Sequence, residues 1–195
     1  MTKAAKGSEF EREICKKISL WWTNDERDDV FWRSAQSGGR ATQRAKSGKK
    51  THGSYGDLTA LDPIGEPLLK VWTMEMKRGS SVGVPGDLFD TRPTRSVRPF
   101  EAAIYQAYLS HKEAGSEGWM IIAKRDFKVP VVYVDSMTVF LYGIMDQDRS
   151  SLVVHPNLRY NIEINIPGGV LPVSFWAFRL DDFLQSISPD QIIEE

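Results

Sequence analysis

The stretch GDLTALDPIGEPLLKVWTMEMKR, residues 56–78, decides the fold of this chain. Asp57 opens an alternating apolar run, and the prolines and glycine of residues 63–67 predict a turn. A second apolar run follows and carries Glu75 and Lys77 two positions apart. The pattern predicts two strands joined by the turn, a hairpin that places Asp57 beside the strand end that holds Glu75.

The charged side chains of the second strand share one face. Side chains alternate across a strand, so Glu75 and Lys77 point away from an apolar set made up of Trp72, Met74 and Met76. With Asp57 from the first strand, two carboxylates and an ammonium converge on one spot. Carboxylate oxygens are preferred ligands of Mg²⁺, so the residues themselves predict a magnesium site with a charged partner for water or phosphate.

The composition is that of a globular chain. Its 195 residues are 41% apolar and 26% charged, enough for one domain with a core and an elaboration. No apolar run approaches the roughly 20 residues of a membrane span. The single cysteine, Cys15, excludes an internal disulfide and, with only three histidines, disfavours a structural zinc site. We therefore expect an intracellular, cytoplasmic protein that does not bind membranes.

Charge is distributed unevenly along the chain. Residues 1–134 hold 22 basic and 17 acidic residues, a net charge of +5, whereas residues 135–195 hold 3 and 9, a net charge of −6. Two loop-like segments carry clustered bases, namely Arg33, Arg40, Arg44, Lys46, Lys49 and Lys50, and then Arg92, Arg95 and Arg98. A solvated surface loop is one interpretation. The absence of any acid in residues 30–56, near a candidate metal site, favours contact with nucleic-acid phosphates.

The remaining pattern predicts an α/β fold, with a central mixed sheet flanked by helices. The predicted order is a helix, three strands, a helix and two strands, followed by a β-rich acidic segment. The first helix is expected at residues 8–22, where Ser8 and Glu11 fit a capping box. Pro99 and Gly115 mark the two ends of the second helix.

The Glu-x-Lys triplet is weak evidence by itself, because such triplets arise by chance. Asp126, Phe127 and Lys128 form a rival triplet, but it lies in a polar stretch with no acid at a preceding strand start. Glu75 and Lys77 lie in an apolar strand, where burying two charges is costly unless they are paired or bind a metal. That cost favours the site at Glu75.

The order of these motifs resembles that of a known family. The residues that carry the resemblance are Lys6, Gly7, Glu11, Arg12, Glu13, Arg33, Ser34, Asp57, Glu75 and Lys77. In this order they resemble the PD-(D/E)XK nuclease superfamily, and more narrowly the archaeal-type Holliday-junction resolvases and their phage relatives. The resemblance implies a restriction-endonuclease-like core in residues 1–143, with residues 144–195 as an acidic C-terminal elaboration packed on the same domain.

The resemblance also implies roles for the site residues. The implied metal ligands are Glu11, Asp57, Glu75 and the backbone carbonyl of Met76. Lys77 would position or activate the attacking water. Ser34 would be a loop serine near the site that contacts DNA, and Gln106 an accessory glutamine on a helix.

The function implied by the resemblance is that of a metal-dependent deoxyribonuclease. It would be a structure-selective DNA endonuclease of DNA recombination, phage-encoded and using Mg²⁺, with Mn²⁺ able to substitute. A four-way junction is nearly two-fold symmetric, so a homodimer is expected. Two alternatives stay open: a restriction-type, nicking or repair endonuclease of the same superfamily acting on duplex DNA, and a non-catalytic DNA-binding module on a nuclease fold.

Overall fold

The structure, a computed structural model, describes residues 3–34, 55–79, 82–89, 98–144 and 157–193. The helices are α1 (Lys3–Trp22), α2 (Glu66–Val71), α3 (Pro99–Ala114), α4 (Ser136–Leu141), α5 (Leu180–Gln185) and α6 (Asp190–Ile193), with 3₁₀ turns at Pro63–Gly65 and Pro85–Phe89. The strands are β1 (Phe31–Arg33), β2 (Leu58–Ala60), β3 (Trp72–Arg78), β4 (Gly118–Lys124), β5 (Val131–Asp135), β6 (Asn157–Ile166) and β7 (Gly169–Arg179). Within these ranges no helix has the length and apolar character needed to cross a membrane.

Five strands form one mixed sheet in the order β3-β4-β5-β7-β6. β3 and β4 run parallel and are connected through α3, whereas the other neighbouring strands run antiparallel. The register of the parallel pair places Glu75 opposite Ile121 and Lys77 opposite Ala123. The predicted α/β architecture, a mixed sheet flanked by helices, is therefore confirmed.

Apolar side chains cover both faces of this sheet. Met74 of β3 belongs to one core, in which Ile14 of α1 and Phe183 of α5 are also buried. Phe100 and Ile104 of α3 belong to a second core on the opposite face. Glu75 lies on the α3 face, as the alternation along β3 predicts, so the charged residues of this strand face a helix.

The predicted hairpin of residues 56–78 is wrong. β2 pairs antiparallel with β1 instead, and α2 separates β2 from β3. The reason lies in the turn, where the Asp62 carboxylate accepts a hydrogen bond from the N–H of Ile64 and caps the 3₁₀ turn that begins at Pro63. Pro67 then lies in the first turn of α2. Capping aspartates and early prolines start helices, so the chain enters β3 from a helix.

The start of the first helix also differs from the prediction. α1 begins at Lys3, so Ser8 lies inside the helix and the predicted capping box of Ser8 with Glu11 is wrong. The Ser8 hydroxyl instead accepts hydrogen bonds from Arg12 and Arg33. Glu11 therefore lies on the helix surface that meets β1, and not at a helix end.

The C-terminal segment continues the main sheet. β7 lies between β5 and β6, with Trp176 opposite Val134. Beyond β7, the carbonyl oxygen of Ile187 accepts a hydrogen bond of 3.2 Å from the indole N–H of Trp21 in α1. The residues expected to be an elaboration thus supply two strands of the five-stranded sheet and a contact to the first helix.

The side chain of Ser19 links α1 to β1 through hydrogen bonds. Its hydroxyl donates to the carbonyl oxygen of Cys15 and accepts from the backbone N–H of Phe31, each at 2.9 Å, and its side chain is buried. A buried N–H needs an acceptor, so this hydroxyl fixes how the helix that carries Glu11 meets the strand that carries Arg33.

We expect Ser19→Ala to lower the free energy of unfolding by about 1–3 kcal/mol, because the N–H of Phe31 loses its acceptor. Urea denaturation measures this change. Ser186→Ala is the matched control, since that hydroxyl donates to a carbonyl oxygen of its own helix, that of Phe183. Equal losses in the two variants would contradict the anchoring role of Ser19.

Candidate active site

Asp57 is bound to the outer edge of β3. Its backbone N–H donates to the carbonyl oxygen of Met74, and its carboxylate accepts from the backbone N–H of Met76, both at 2.7 Å. The N–H and the carbonyl of one strand residue point to the same edge, so the carbonyl of Met76 also points to the outer edge of β3. The proximity expected from a hairpin is thus reached without one, through two hydrogen bonds at a strand edge.

Gly56 makes this approach possible. Its φ of +68° is one that glycine adopts readily, and a Cβ atom here would lie 2.4 Å from the carbonyl oxygen of Met74. Ser34 completes the attachment, since its hydroxyl donates to the carbonyl oxygen of Gly56 at 2.8 Å and its N–H donates to that of Asp57 at 2.9 Å. The side chain of Ser34 is 1% exposed, so in this structure Ser34 positions Asp57.

Glu75 lies at the centre of a hydrogen-bond network between β3 and α3. Its carboxylate is 2% exposed and accepts from Lys77 Nζ at 2.9 Å, from Gln106 Nε2 at 2.7 Å and from the Ser110 hydroxyl at 3.1 Å. Lys77 Nζ also donates to Gln106 Oε1 at 3.1 Å. Burial of this charge is therefore offset by one cation and two neutral donors.

Ser110 is the member of this network that sequence reasoning missed. Gln106 and Ser110 are four residues apart on α3, a spacing that puts two side chains on one helical face. Once Gln106 is placed against Glu75, that spacing points to Ser110 as the next donor. Nothing in the sequence distinguishes this serine from others before the helix is docked.

The environment of Asp57 raises its pKa. Burial, and next the negative charge of Glu75, raise the pKa of Asp57 from 3.8 to about 7. Glu11 adds to the rise, whereas Lys77 and the hydrogen bond from Met76 oppose it. Burial likewise raises the pKa of the Cys15 thiol, to about 12, so this residue is a neutral thiol and no nucleophile at physiological pH.

The three predicted metal-binding acids do not form a three-ligand group. Among the residues that the structure describes, no three His, Cys, Asp or Glu residues are placed to hold a metal ion together. Glu11 lies 3.4 Å from Arg33 Nε in an ion pair. Mg²⁺ usually binds one or two carboxylates and completes its shell with waters and substrate phosphate, so Asp57 and Glu75 have the right chemistry for it.

A cavity of about 380 Å³ opens beside Lys77 and Gln106 on the α3 side of the sheet. Gly83 and Phe100 contribute to its wall, and a Cβ atom on Gly83 would come within 2.6 Å of the backbone nitrogen of Phe100. The amine of Lys77 therefore borders space that a small group can enter.

The predicted DNA contacts are placed only in part. Arg33 reaches Ser8 and Glu11, and Arg98 precedes α3, where its backbone N–H donates to Glu101 at 3.2 Å. The other cations predicted to contact phosphate lie outside the described residues, namely Arg40, Arg44, Lys46, Lys49, Lys50, Arg92 and Arg95. Their contact with DNA stays a prediction.

Comparison of the chain with protein-family models, with curated proteins and with solved structures found no match.

We expect Gly56→Ala to destabilise the protein by at least about 2 kcal/mol more than Gly143→Ala. Both glycines have a positive φ, +68° and +58°, but a Cβ at Gly143 would meet no atom within 4 Å. The control therefore isolates the clash with Met74 from the backbone conformation. Urea denaturation measures the free energy of unfolding of both variants. Equal losses would show that the clash between a Cβ at position 56 and β3 costs no stability.

We expect Asp57→Asn to be more stable than the parent in EDTA, with an advantage that grows with pH. Because the folded-state pKa of Asp57 is raised to about 7, the contribution of Asp57 to the free energy of unfolding is fully present below pH 4. It is lost as pH rises through about 7. Asparagine keeps an acceptor for Met76 and carries no charge. The gain should increase by about 2 kcal/mol between pH 5 and pH 8 in urea denaturation. A gain that does not depend on pH would contradict the assigned cause.

Proposed function

We propose that this protein is a Mg²⁺-dependent DNA endonuclease that hydrolyses phosphodiester bonds at the Asp57–Glu75 site. The observation that carries the proposal is the binding of Asp57 to the β3 edge, next to a buried Glu75 that is paired with Lys77. Burial, and next the negative charge of Glu75, raise the pKa of Asp57 to about 7. A bound cation would offset both effects, because it stabilises the ionised form of the carboxylate.

The fold supports the same proposal. Glu75 and Lys77 lie on β3, Gln106 on the connecting α3, and β4 runs parallel to β3. This arrangement agrees with a restriction-endonuclease-like core and with membership of the PD-(D/E)XK superfamily. Glu11 on α1 contributes to the electrostatic environment of Asp57. A role for Glu11 as a metal ligand would require it to leave Arg33.

The residues that would hold Mg²⁺ are Asp57 and Glu75, with the backbone carbonyl of Met76 facing the same edge. When bound, Mg²⁺ would supply positive charge to the scissile phosphate and lower the pKa of a bound water. Asp57 must be deprotonated to bind it, so the raised pKa of Asp57 makes loading weaker below about pH 7.

Lys77 is the residue that would supply positive charge near the reacting phosphate. Its amine lies 2.9 Å from Glu75 and 3.1 Å from Gln106, and it borders the cavity beside α3. These two contacts fix the direction of a flexible side chain. A fixed ammonium stabilises the negative charge that grows on the phosphate in the transition state. Gln106 and Ser110 act as positioning residues, because they hold Glu75 and Lys77.

We propose branched DNA, in particular a four-way junction, as the substrate, and a symmetric dimer as the working form. The support is the resemblance of the motif order to junction resolvases and the near two-fold symmetry of such a junction. The basic segments of the front of the chain agree with binding of a polyanion.

We expect Glu75→Gln and Lys77→Met each to reduce Mg²⁺-dependent cleavage of a four-way junction at least 100-fold, while DNA binding in EDTA is retained. Gel assays of labelled junction and of plain duplex measure cleavage, and fluorescence anisotropy measures binding. The comparison of the two DNAs also separates a junction resolvase from an enzyme that cuts linear duplex.

Glu163→Gln is the control, because Glu163 is exposed on β6, at the opposite edge of the five-stranded sheet from β3. It should cleave like the parent. Full cleavage by Glu75→Gln would contradict the proposal, and so would cleavage by the parent that persists in EDTA.

A further inference from the structure

The turn between β4 and β5 presents a phenylalanine to solvent. The backbone N–H of Lys128 donates to the carbonyl oxygen of Arg125 at 3.2 Å, which closes a β-turn with Phe127 as its third residue. Phe127 has a φ of +61° and a relative exposure of 102%. Its ring therefore projects fully from the surface.

Folding does not explain this residue. A positive φ at the third position of a turn favours glycine or asparagine, and a phenylalanine there strains the backbone. A fully exposed ring gains no burial to offset that strain. Both the backbone and the side chain thus work against stability, and strain of this kind is found at positions that contact a partner.

The turn is held in one place at the end of the sheet that carries Lys77. Arg78 Nη1 lies 3.0 Å from Asp126 Oδ1 and donates to the carbonyl oxygen of Lys124 at 3.2 Å, so β3 braces the turn. Ala123, at the foot of the turn, is the register partner of Lys77. The Cα of Phe127 can lie no more than about 14 Å from that of Ala123. The ring therefore belongs to the same end of the sheet as Lys77.

The surroundings of the ring are basic. Arg125 and Lys128 flank the tip of the turn and are exposed. At the base of the turn, Lys124 is paired with Glu13 and Arg78 with Asp126. The acid in the turn, Asp126, is within ion-pair distance of Arg78 and of Lys6. An aromatic ring between exposed cations is complementary to a stack of bases between phosphates.

We propose that Phe127 is a wedge that stacks on the bases of the DNA bound at the Asp57–Glu75 site, with Arg125 and Lys128 on the adjacent phosphates. Apolar side chains inserted at base steps unstack and kink DNA, and this costs least where stacking is already interrupted. A branch point is such a place, so the wedge provides a physical basis for selecting branched DNA. This inference rests on the proposed nuclease function.

Phe127→Gly tests the wedge, because it removes the ring and relieves the backbone strain in one step. We expect binding of a four-way junction in EDTA to weaken about 5- to 100-fold, the range for loss of one stacked base. We expect the melting temperature to stay unchanged or to rise. Phe127→Trp should bind the junction at least as well as the parent. Fluorescence of 2-aminopurine at the branch point reports the unstacking that only the aromatic variants should cause.

Phe140→Ala is the matched control. Phe140 is 77% exposed on α4, which follows the far end of β5 from the turn. Removing it should leave junction affinity unchanged. An equal effect at Phe140 and Phe127 would overturn the wedge, as would a fall in the melting temperature of Phe127→Gly. Unchanged DNA affinity with loss of self-association in light scattering would overturn it in favour of a contact between copies.

The outcome also separates the wedge from the nuclease assignment. Cleavage by the parent with unaltered binding by Phe127→Gly overturns the wedge alone. Binding that depends on Phe127, without any Mg²⁺-dependent cleavage, supports the wedge and overturns the nuclease. A parent that does not bind DNA overturns both.

Discussion

The site depends on one attachment, that of Asp57 to the outer edge of β3 through its backbone N–H and its carboxylate. Two hydrogen bonds of 2.7 Å hold the residue there. They are possible because residue 56 is a glycine, since a Cβ atom at this position would collide with the carbonyl oxygen of Met74. The consequence is electrostatic, since a second carboxylate is now held next to the buried Glu75. A fold that places these charges together accepts a local loss of stability, which is characteristic of functional sites.

The alternation of side chains along β3 and the ends of α3 were predictable from sequence. Trp72, Met74 and Met76 enter one core while Glu75 faces α3, as a period of two requires. Helix α3 begins at Pro99 and ends before Gly115, whose φ of +71° fits a C-terminal cap. These features are local, because they depend on neighbouring residues only.

Features that depend on distant partners were not predictable. The prolines of residues 63–67 are compatible with a tight turn and with the start of a helix. The packing of Trp22 favours the helix, because its indole N–H donates to the carbonyl oxygen of Ile64 at 2.8 Å. The position of Asp57 beside β3 does not depend on the hairpin, because Asp57 needs only an exposed strand edge to bind. Ser110 gained a role only when α3 docked over Glu75.

The position of β7 inside the sheet has a consequence for synthesis of the protein. β5 gains its second neighbour only from residues 169–179, and α1 is held by Trp21 against Ile187, 166 residues later. A nascent chain that has emerged from the ribosome only as far as β5 exposes that strand edge and leaves the first core incomplete. Contacts of such long sequence separation form late in folding. The residues around Asp57 are therefore translated well before the strand that completes the sheet around β5 and before the C-terminal contact that holds α1.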